Sequence, residues 1–274
     1  MYRFLLVIAA IVSVVAFLGP AGAEAQSGNG RVRVMHASPD TPPADVFVDG
    51  QKAISGLAFP NATGYVSLAA GPHEVKVFVS PSDGSGAPAL QATLTIEANR
   101  DVTVLAVGRV SDGSLELLPV QDTNTLPQAG KAHVRFIHAS PDAPAVDVVV
   151  RGSGAALFTN VEFKEVGSYV AVDAGTYDLD VRVASTDTVA LPLDGVRLEA
   201  GTVYTVVAVG LVGDGTLSAV PLVDATAPAP PHTGTGLAPS AEQAANPALP
   251  FVAAGAALLL AAAALLRLAR RTPA

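Results

Sequence analysis

From residue 31 onward, apolar and polar positions alternate in short runs. Val32, Val34 and His36 share one face of an extended segment, and Arg31, Arg33 and Met35 take the other. This period of two marks half-buried β-strands. Val134, Phe136 and His138 repeat the alternation further along. Val46 and Val48 point inward in the next segment, with Asp45 and Asp49 pointing out. Tyr65–Leu68, His73–Val79 and Thr93–Glu97 follow, then Asp101–Val107, which is apolar on both faces and is therefore assigned to the centre of a sheet. Leu115–Val120 closes the unit. Turn chemistry separates these runs at Ser38-Pro39-Asp40, Asp49-Gly50, Ala70-Gly71, Asp83-Gly84 and Asp112-Gly113. About seven short strands punctuated this way predict an antiparallel β-sandwich of immunoglobulin-like architecture. The chain has no cysteine and no tryptophan, so a true immunoglobulin domain with its buried disulfide is excluded.

The pattern is written twice. RVMHASPDTPPADVFVDG at residues 33–50 matches RFIHASPDAPAVDVVVRG at 135–152, pairing Arg33 with Arg135, His36 with His138, Ser38 with Ser140, Asp40 with Asp142 and Asp45 with Asp147. Tyr65 and Tyr169, Gly108 and Gly210, and Pro119 and Pro221 extend the match to the end of each unit. Repeats this long predict two domains, 31–122 and 133–224, joined by a short polar linker at 123–132. Residues 225–248, rich in Ala, Pro, Gly and Thr, lack the bulky apolar groups needed for a core and read as an extended stalk.

Composition matters most at the two ends. Half of the 274 residues are hydrophobic and only 15% are charged, against about 25% in an average soluble domain. The N-terminus carries Arg3, an apolar run from Phe4 to Leu18, the breakers Gly19-Pro20 and the small residues Ala21-Gly22-Ala23. This is the layout of a signal peptide over residues 1–25, with cleavage after Ala23 or Ala25. Leu249–Leu266 is uncharged and has no polar face, and Arg267, Arg270 and Arg271 follow at once. A helix of this length reaches across a bilayer, and the arginines of the tail, 267–274, place it on the cytoplasmic side with the body outside. With a leader ending at Ala23 and the tail set aside, the remainder carries 12 basic against 24 acidic residues. So acidic a surface excludes nucleic acid as a partner.

The dense polar clusters are the two corners, His36, Asp40 and Asp45 in the first unit and His138, Asp142 and Asp147 in the second. A histidine and two carboxylates near one turn can hold a divalent cation or work as an acid–base pair. The same residues also suit a purely structural corner, in which the imidazole bonds a nearby carboxylate or carbonyl and the S-P-D turn bonds backbone amides. Recurrence in both copies favours the corner, because a feature that defines the fold must recur and a catalytic site need not. Ser38 and Ser140 lack the G-x-S-x-G elbow of a hydrolase nucleophile. Asp83-Gly84, Asp112-Gly113 and Asp214-Gly215 do not fit a twelve-residue calcium loop and read as hairpin turns. Tyr65, Tyr169, Tyr177 and Tyr204 form either a sugar-stacking platform or edge packing with their hydroxyls in water.

The paired HASPD segments, each opening a unit of about 90 residues, resemble the bacterial domain-of-unknown-function family 4397, over residues 31–122 and 133–224. The resemblance implies exported or surface proteins, often with tandem copies, and brings no known activity. The C-terminal region also resembles a sortase-type sorting signal. Pro231, His232, Thr233 and Gly234 fit the last four positions of its Leu-Pro-x-Thr-Gly motif, Pro230 replaces the leucine, and an apolar segment and basic tail follow. Cleavage after Thr233 would link the protein to the wall, and otherwise the helix is retained. The expectation is an all-β, exported, surface-anchored protein with no enzymatic activity and no cofactor. Its partners are the membrane, through the C-terminal helix, and wall polymer or surface proteins. A metal- or carbohydrate-binding adhesin, or a hydrolase using the His/Asp corners, is the alternative.

Overall fold

The computed structural model describes residues 28–228, all of them in strands, turns and loops. The leader with Ala23 and Ala25, most of the stalk, the sorting motif at Pro231, Thr233 and Gly234, and the apolar segment 249–266 lie outside the described residues. Among the described residues no helix is long and apolar enough to cross a membrane.

Eight strands build the first repeat: β1 (Asn29–His36), β2 (Ala44–Val48), β3 (Gln51–Leu57), β4 (Val66–Ala69), β5 (Gly71–Val79), β6 (Leu90–Ile96), β7 (Asp101–Val107) and β8 (Glu116–Asp122). They form two sheets, ordered β4-β1-β7-β8 and β3-β2-β5-β6. The second repeat copies this with β9 (Lys131–His138), β10 (Val146–Val150), β11 (Ala156–Val161), β12 (Val170–Asp173), β13 (Gly175–Val183), β14 (Val189–Leu198), β15 (Thr202–Val209) and β16 (Ser218–Thr226), in sheets β12-β9-β15-β16 and β11-β10-β13-β14. Each repeat is thus a β-sandwich. Pairing is antiparallel except where β1 lies parallel to β7 and β9 parallel to β15. In each repeat the chain leaves the first sheet after its first strand and returns to it later.

Strand β3 was not expected from the sequence, because QKAISGL does not alternate. It is an edge strand with no fully buried residue, it meets the core through Ile54, and its pairing with β2 contains register shifts, so no regular period is imposed on it. Asp49 and Gly50, both at positive φ, make the tight turn that starts it.

The face of β1 opposite the sandwich interior carries Arg33 and Met35, and the corresponding face of β7 carries Thr103, Leu105 and Val107. All five are buried. They do not meet solvent because the same face of the second repeat packs on them. Met35, Ala37, Leu105, Val107 and Val120 form one apolar cluster with Ile137, Ala139, Val207 and Val209. The two inner sheets are therefore covered on both sides, which is why β7 and β15 read as apolar on both faces. Four sheets stack as layers, and both repeats fall within one compact unit. Lys164 and Glu116 pair across the rim at 2.9 Å.

Because a single core spans both repeats, heating the protein gives one calorimetric transition for the described block. Two resolved transitions would contradict the shared core. Ile137→Ala, which hollows that core, costs about 2–5 kcal/mol in chemical unfolding.

Candidate functional site

The two histidine corners adopt nearly the same geometry. His36 ends β1 with its ring buried, and Nε2 donates to the Pro42 carbonyl at 3.2 Å. His138 Nε2 donates to the Pro144 carbonyl at 3.1 Å, and its Nδ1 accepts from the Ser140 amide at 3.3 Å. Burial lowers both imidazoles below their ordinary pKa, against the smaller opposing effect of these carbonyls. Both rings are therefore neutral at pH 7, with the proton on Nε2.

The aspartates of the S-P-D turns clamp a distant loop. Asp40 accepts from the amides of Val110 and Ser111, each at 3.0 Å, and Asp142 accepts from Val212 at 2.8 Å and Gly213 at 2.9 Å. Partial burial pushes both carboxyls up, but the amides outweigh it and leave them below the usual carboxylate range. The clamped loops begin at Gly108 and Gly210, both at positive φ. A Cβ at either position would lie 2.2 Å from the carbonyl oxygen of Ser114 or Thr216, so only glycine fits there.

Asp45 and Asp147 stand apart from this corner. Asp45 points outward from β2, as its parity requires, yet it is fully buried, because the loop after β5 folds over it. Its carboxylate accepts from Lys52 Nζ at 2.8 Å, the Gly56 amide at 2.8 Å and the Ser82 amide at 3.0 Å. Lys52 first, then the Ser80 hydroxyl and these amides, hold it far below the usual range. Asp147 accepts from the amides of Asn160 at 2.6 Å and Ser185 at 3.1 Å, with no lysine. Each carboxylate thus ties an edge hairpin to the following loop. The structure brings His36 near the Ser38–Asp40 turn but does not gather His36, Asp40 and Asp45 around one point. Among the described residues no group of three or more His, Asp or Glu could hold a metal ion. The tyrosines form no stacking platform. Tyr204 is buried, Tyr177 donates to the Asp173 carbonyl, and Tyr65 and Tyr169 belong to a different arrangement.

That arrangement joins the repeats. Arg33 donates from Nε and Nη2 to Thr103 Oγ1, at 3.0 and 2.9 Å, and crosses to Asp224 of the second repeat at 2.6 Å. Reciprocally, Arg135 donates to Thr205 Oγ1 at 2.8 Å and to the Gln121 carbonyl at 2.9 Å, and pairs with Asp122 of the first repeat. Asp122 also accepts from the hydroxyls of Tyr65 and Thr103, both at 2.6 Å. Asp224 accepts from Tyr169 at 2.8 Å and Thr205 at 2.5 Å. Each tyrosine ring lies against its own repeat's arginine, at 4.6 Å for Arg33 and 4.7 Å for Arg135. Burial, together with the adjacent aspartate, pushes both phenols well above the ordinary tyrosine pKa, so they remain donors. Sequence reasoning missed this network. The available signal was its retention in both copies, as Arg33/Arg135, Tyr65/Tyr169, Thr103/Thr205 and Asp122/Asp224.

A family model described as "Domain of unknown function (DUF4397)" matches residues 30–149 and again 132–235. The chain belongs to this family. The two DUF4397 matches overlap and between them take in both sandwiches. No curated protein matches the chain. Among solved structures, "The Bacillus anthracis TIE protein" is similar at 12% identity and a TM-score of 0.22, over 67% of this chain and 34% of that one. A leucine-rich repeat protein from Bacteroides thetaiotaomicron VPI-5482 is similar at 11% identity and a TM-score of 0.15, over 66% of this chain and 26% of that one. The DUF4397 chain thus spans about a third of the length of the first and about a quarter of the second.

Arg135→Met leaves Asp122 buried without its counter-charge and costs about 3–5 kcal/mol in urea unfolding. Adding Asp122→Asn costs less than the sum of the two single changes, and strict additivity would show that the pair is not coupled. The histidines set an acid limit. Their folded-state pKa lies below the ordinary 6.5, so their contribution is complete above pH 6.5 and is lost as pH falls through the lowered values. His73, raised by Asp49, contributes with the opposite sign, losing its share as pH rises. Melting temperature against pH for the His36→Gln/His138→Gln double variant should therefore fall less steeply below pH 6.5 than for the wild type.

Proposed function

We propose that this DUF4397 protein is an exported, surface-anchored protein whose two repeats act as one rigid block with a structural or binding role and no catalysis. The observation that carries the reading is the pair of reciprocal Arg–Asp bridges set beside a shared apolar core. A module built to resist bending between its repeats suits a spacer or a fixed display surface, whereas a flexible tandem would separate its domains by a free linker. The corner groups that looked most chemical are engaged in holding backbone, with His36 on a carbonyl, Asp40 on a loop and Asp45 on a hairpin. Export and anchoring rest on the leader at 1–25 and on the apolar segment 249–266 with its arginines. The acidic body keeps such a surface soluble and repels anionic polymers in the absence of divalent cations.

Mass spectrometry of the protein isolated from its cells tests the placement. The expected N-terminus follows Ala23 or Ala25. A C-terminus at Thr233 means covalent sorting, and one at Ala274 means a retained helix. Intact leader on cytosolic protein overturns the proposal.

A further inference from the structure

Four sheets leave eight edge strands, and an edge presents unpaired N–H and C=O groups to any strand that can reach it. Seven of the eight carry a feature that discourages pairing. β4 and β12 are only four residues long. β8 and β16 contain Pro119 and Pro221 and carry the charges of Glu116, Asp122 and Asp224. β14 has Pro192, Asp194 and Arg197, and its register slips along β13. β3 and β11 slip against their neighbours as well. The eighth is β6, LQATLTI, with no charge, no proline and an unbroken register along β5.

The direction of its free groups is fixed by β5. The Glu74 carbonyl accepts from the Asp49 amide, on the β2 side, at 2.9 Å. Alternation therefore turns the backbone of His73 and Val75 toward β6, where they face Leu94 and Ala92. The N–H and C=O groups of Gln91, Thr93 and Thr95 point the other way, along an edge with no strand beside it. The side chains of these three residues are exposed. An open groove of about 250 Å³ adjoins the edge, lined by Leu94, Ile96, Val102, Val104 and Pro119 among others.

β6 is its own complement. Two antiparallel copies centred on Thr93 set Thr93 against Thr93, Gln91 against Thr95, Ala92 against Leu94 and Leu90 against Ile96. Polar residues then meet on the outer face and apolar residues on the inner one, and no charge opposes a like charge. The outward-facing residues are the ones this register pairs by hydrogen bonds, so each of their N–H groups finds a carbonyl. Leu90 of the second copy lies against Ile96, at the groove. A twofold contact of this kind closes on itself and stops at two copies.

We infer that the protein forms a homodimer through β6, which joins two outer sheets into one of eight strands. The pairing does not depend on export or on anchoring. A single strand pair buries less than the ~1,200 Å² of a stable interface, so the dimer is weak and depends on concentration.

Sedimentation equilibrium of the full chain in density-matched detergent tests the inference, at concentrations up to about 1 mM. A reversible monomer–dimer equilibrium is expected. Thr93→Lys sets two ammonium groups against each other, and Thr93→Pro removes an outward N–H without disturbing the pairing with β5. Each should weaken dimerisation at least about tenfold while leaving the melting temperature unchanged. Should Thr93→Pro melt lower, Thr93→Lys still provides the comparison. The chain has no cysteine, so Thr93→Cys introduces a single thiol per copy. A short bismaleimide should join two such copies, and should not join copies of Ser153→Cys, whose thiol sits on the second repeat. A wild type that stays monomeric, a dimer that survives Thr93→Lys, or equal cross-linking at the two positions overturns the inference.

Discussion

A buried arginine cannot remain in a protein interior without a counter-charge, and here each repeat supplies the one the other lacks. Withdrawing a guanidinium and a carboxylate from water costs several kcal/mol per ion before their attraction is counted. The cost is offset because every group is also hydrogen-bonded. A threonine and a tyrosine of the home repeat hold each aspartate, and a threonine and a backbone carbonyl hold each arginine. Neither repeat can satisfy these groups alone, since Asp122 needs Arg135 and Asp224 needs Arg33. The contact has the reciprocity of a symmetric dimer folded within one chain. It also fixes alignment, because a slip of one residue in β1 or β9 would turn the arginine into a sandwich interior.

The rest of the block follows from that constraint. With the charges placed, Met35 and Leu105 lie against Ile137 and Val207, and the inner sheets gain a second buried face. The outer sheets need only one, so their far sides are held by local devices such as Asp45 pinned under its loop or the Asp49-Gly50 turn. The histidine corners sit where the first strand of each repeat leaves its inner sheet, and Asp40 and Asp142 reach across to the loop after the strand paired in parallel with it.

Much of this could be read from the residues. Alternation in β1 and β5 and the apolar run of β7 predicted strands, the doubled HASPD string predicted two like units, and the short runs punctuated by turn residues predicted an all-β body. Two things were hidden, for physical reasons. Edge strand β3 has no fully buried residue and meets the core through Ile54, with its register shifted along β2, so little forces its residues to alternate. The association of the repeats depends on Arg33 and Arg135, and a charged residue on the outer face of a strand looks like a solvent contact until its partner is known. Asp45 misled in the same way, because parity gives the direction of a side chain but not what covers it. Tyr65 and Tyr169 follow neither reading offered for the tyrosines, a sugar-stacking platform or edge packing with the hydroxyl in water, because their hydroxyls donate to the buried carboxylates of Asp122 and Asp224.

The distance along the chain between partners differs sharply for the two bridges. Arg135 follows Asp122 by 13 residues, whereas Asp224 follows Arg33 by 191. A chain emerging from the ribosome, amino end first, has its second strand-borne carboxylate last of all. The first sandwich must wait for almost the whole of its sister before its own cation is neutralised, so maturation is set by the final strand made. A chain truncated before β16 would leave Arg33 stranded even with the whole first repeat already synthesised.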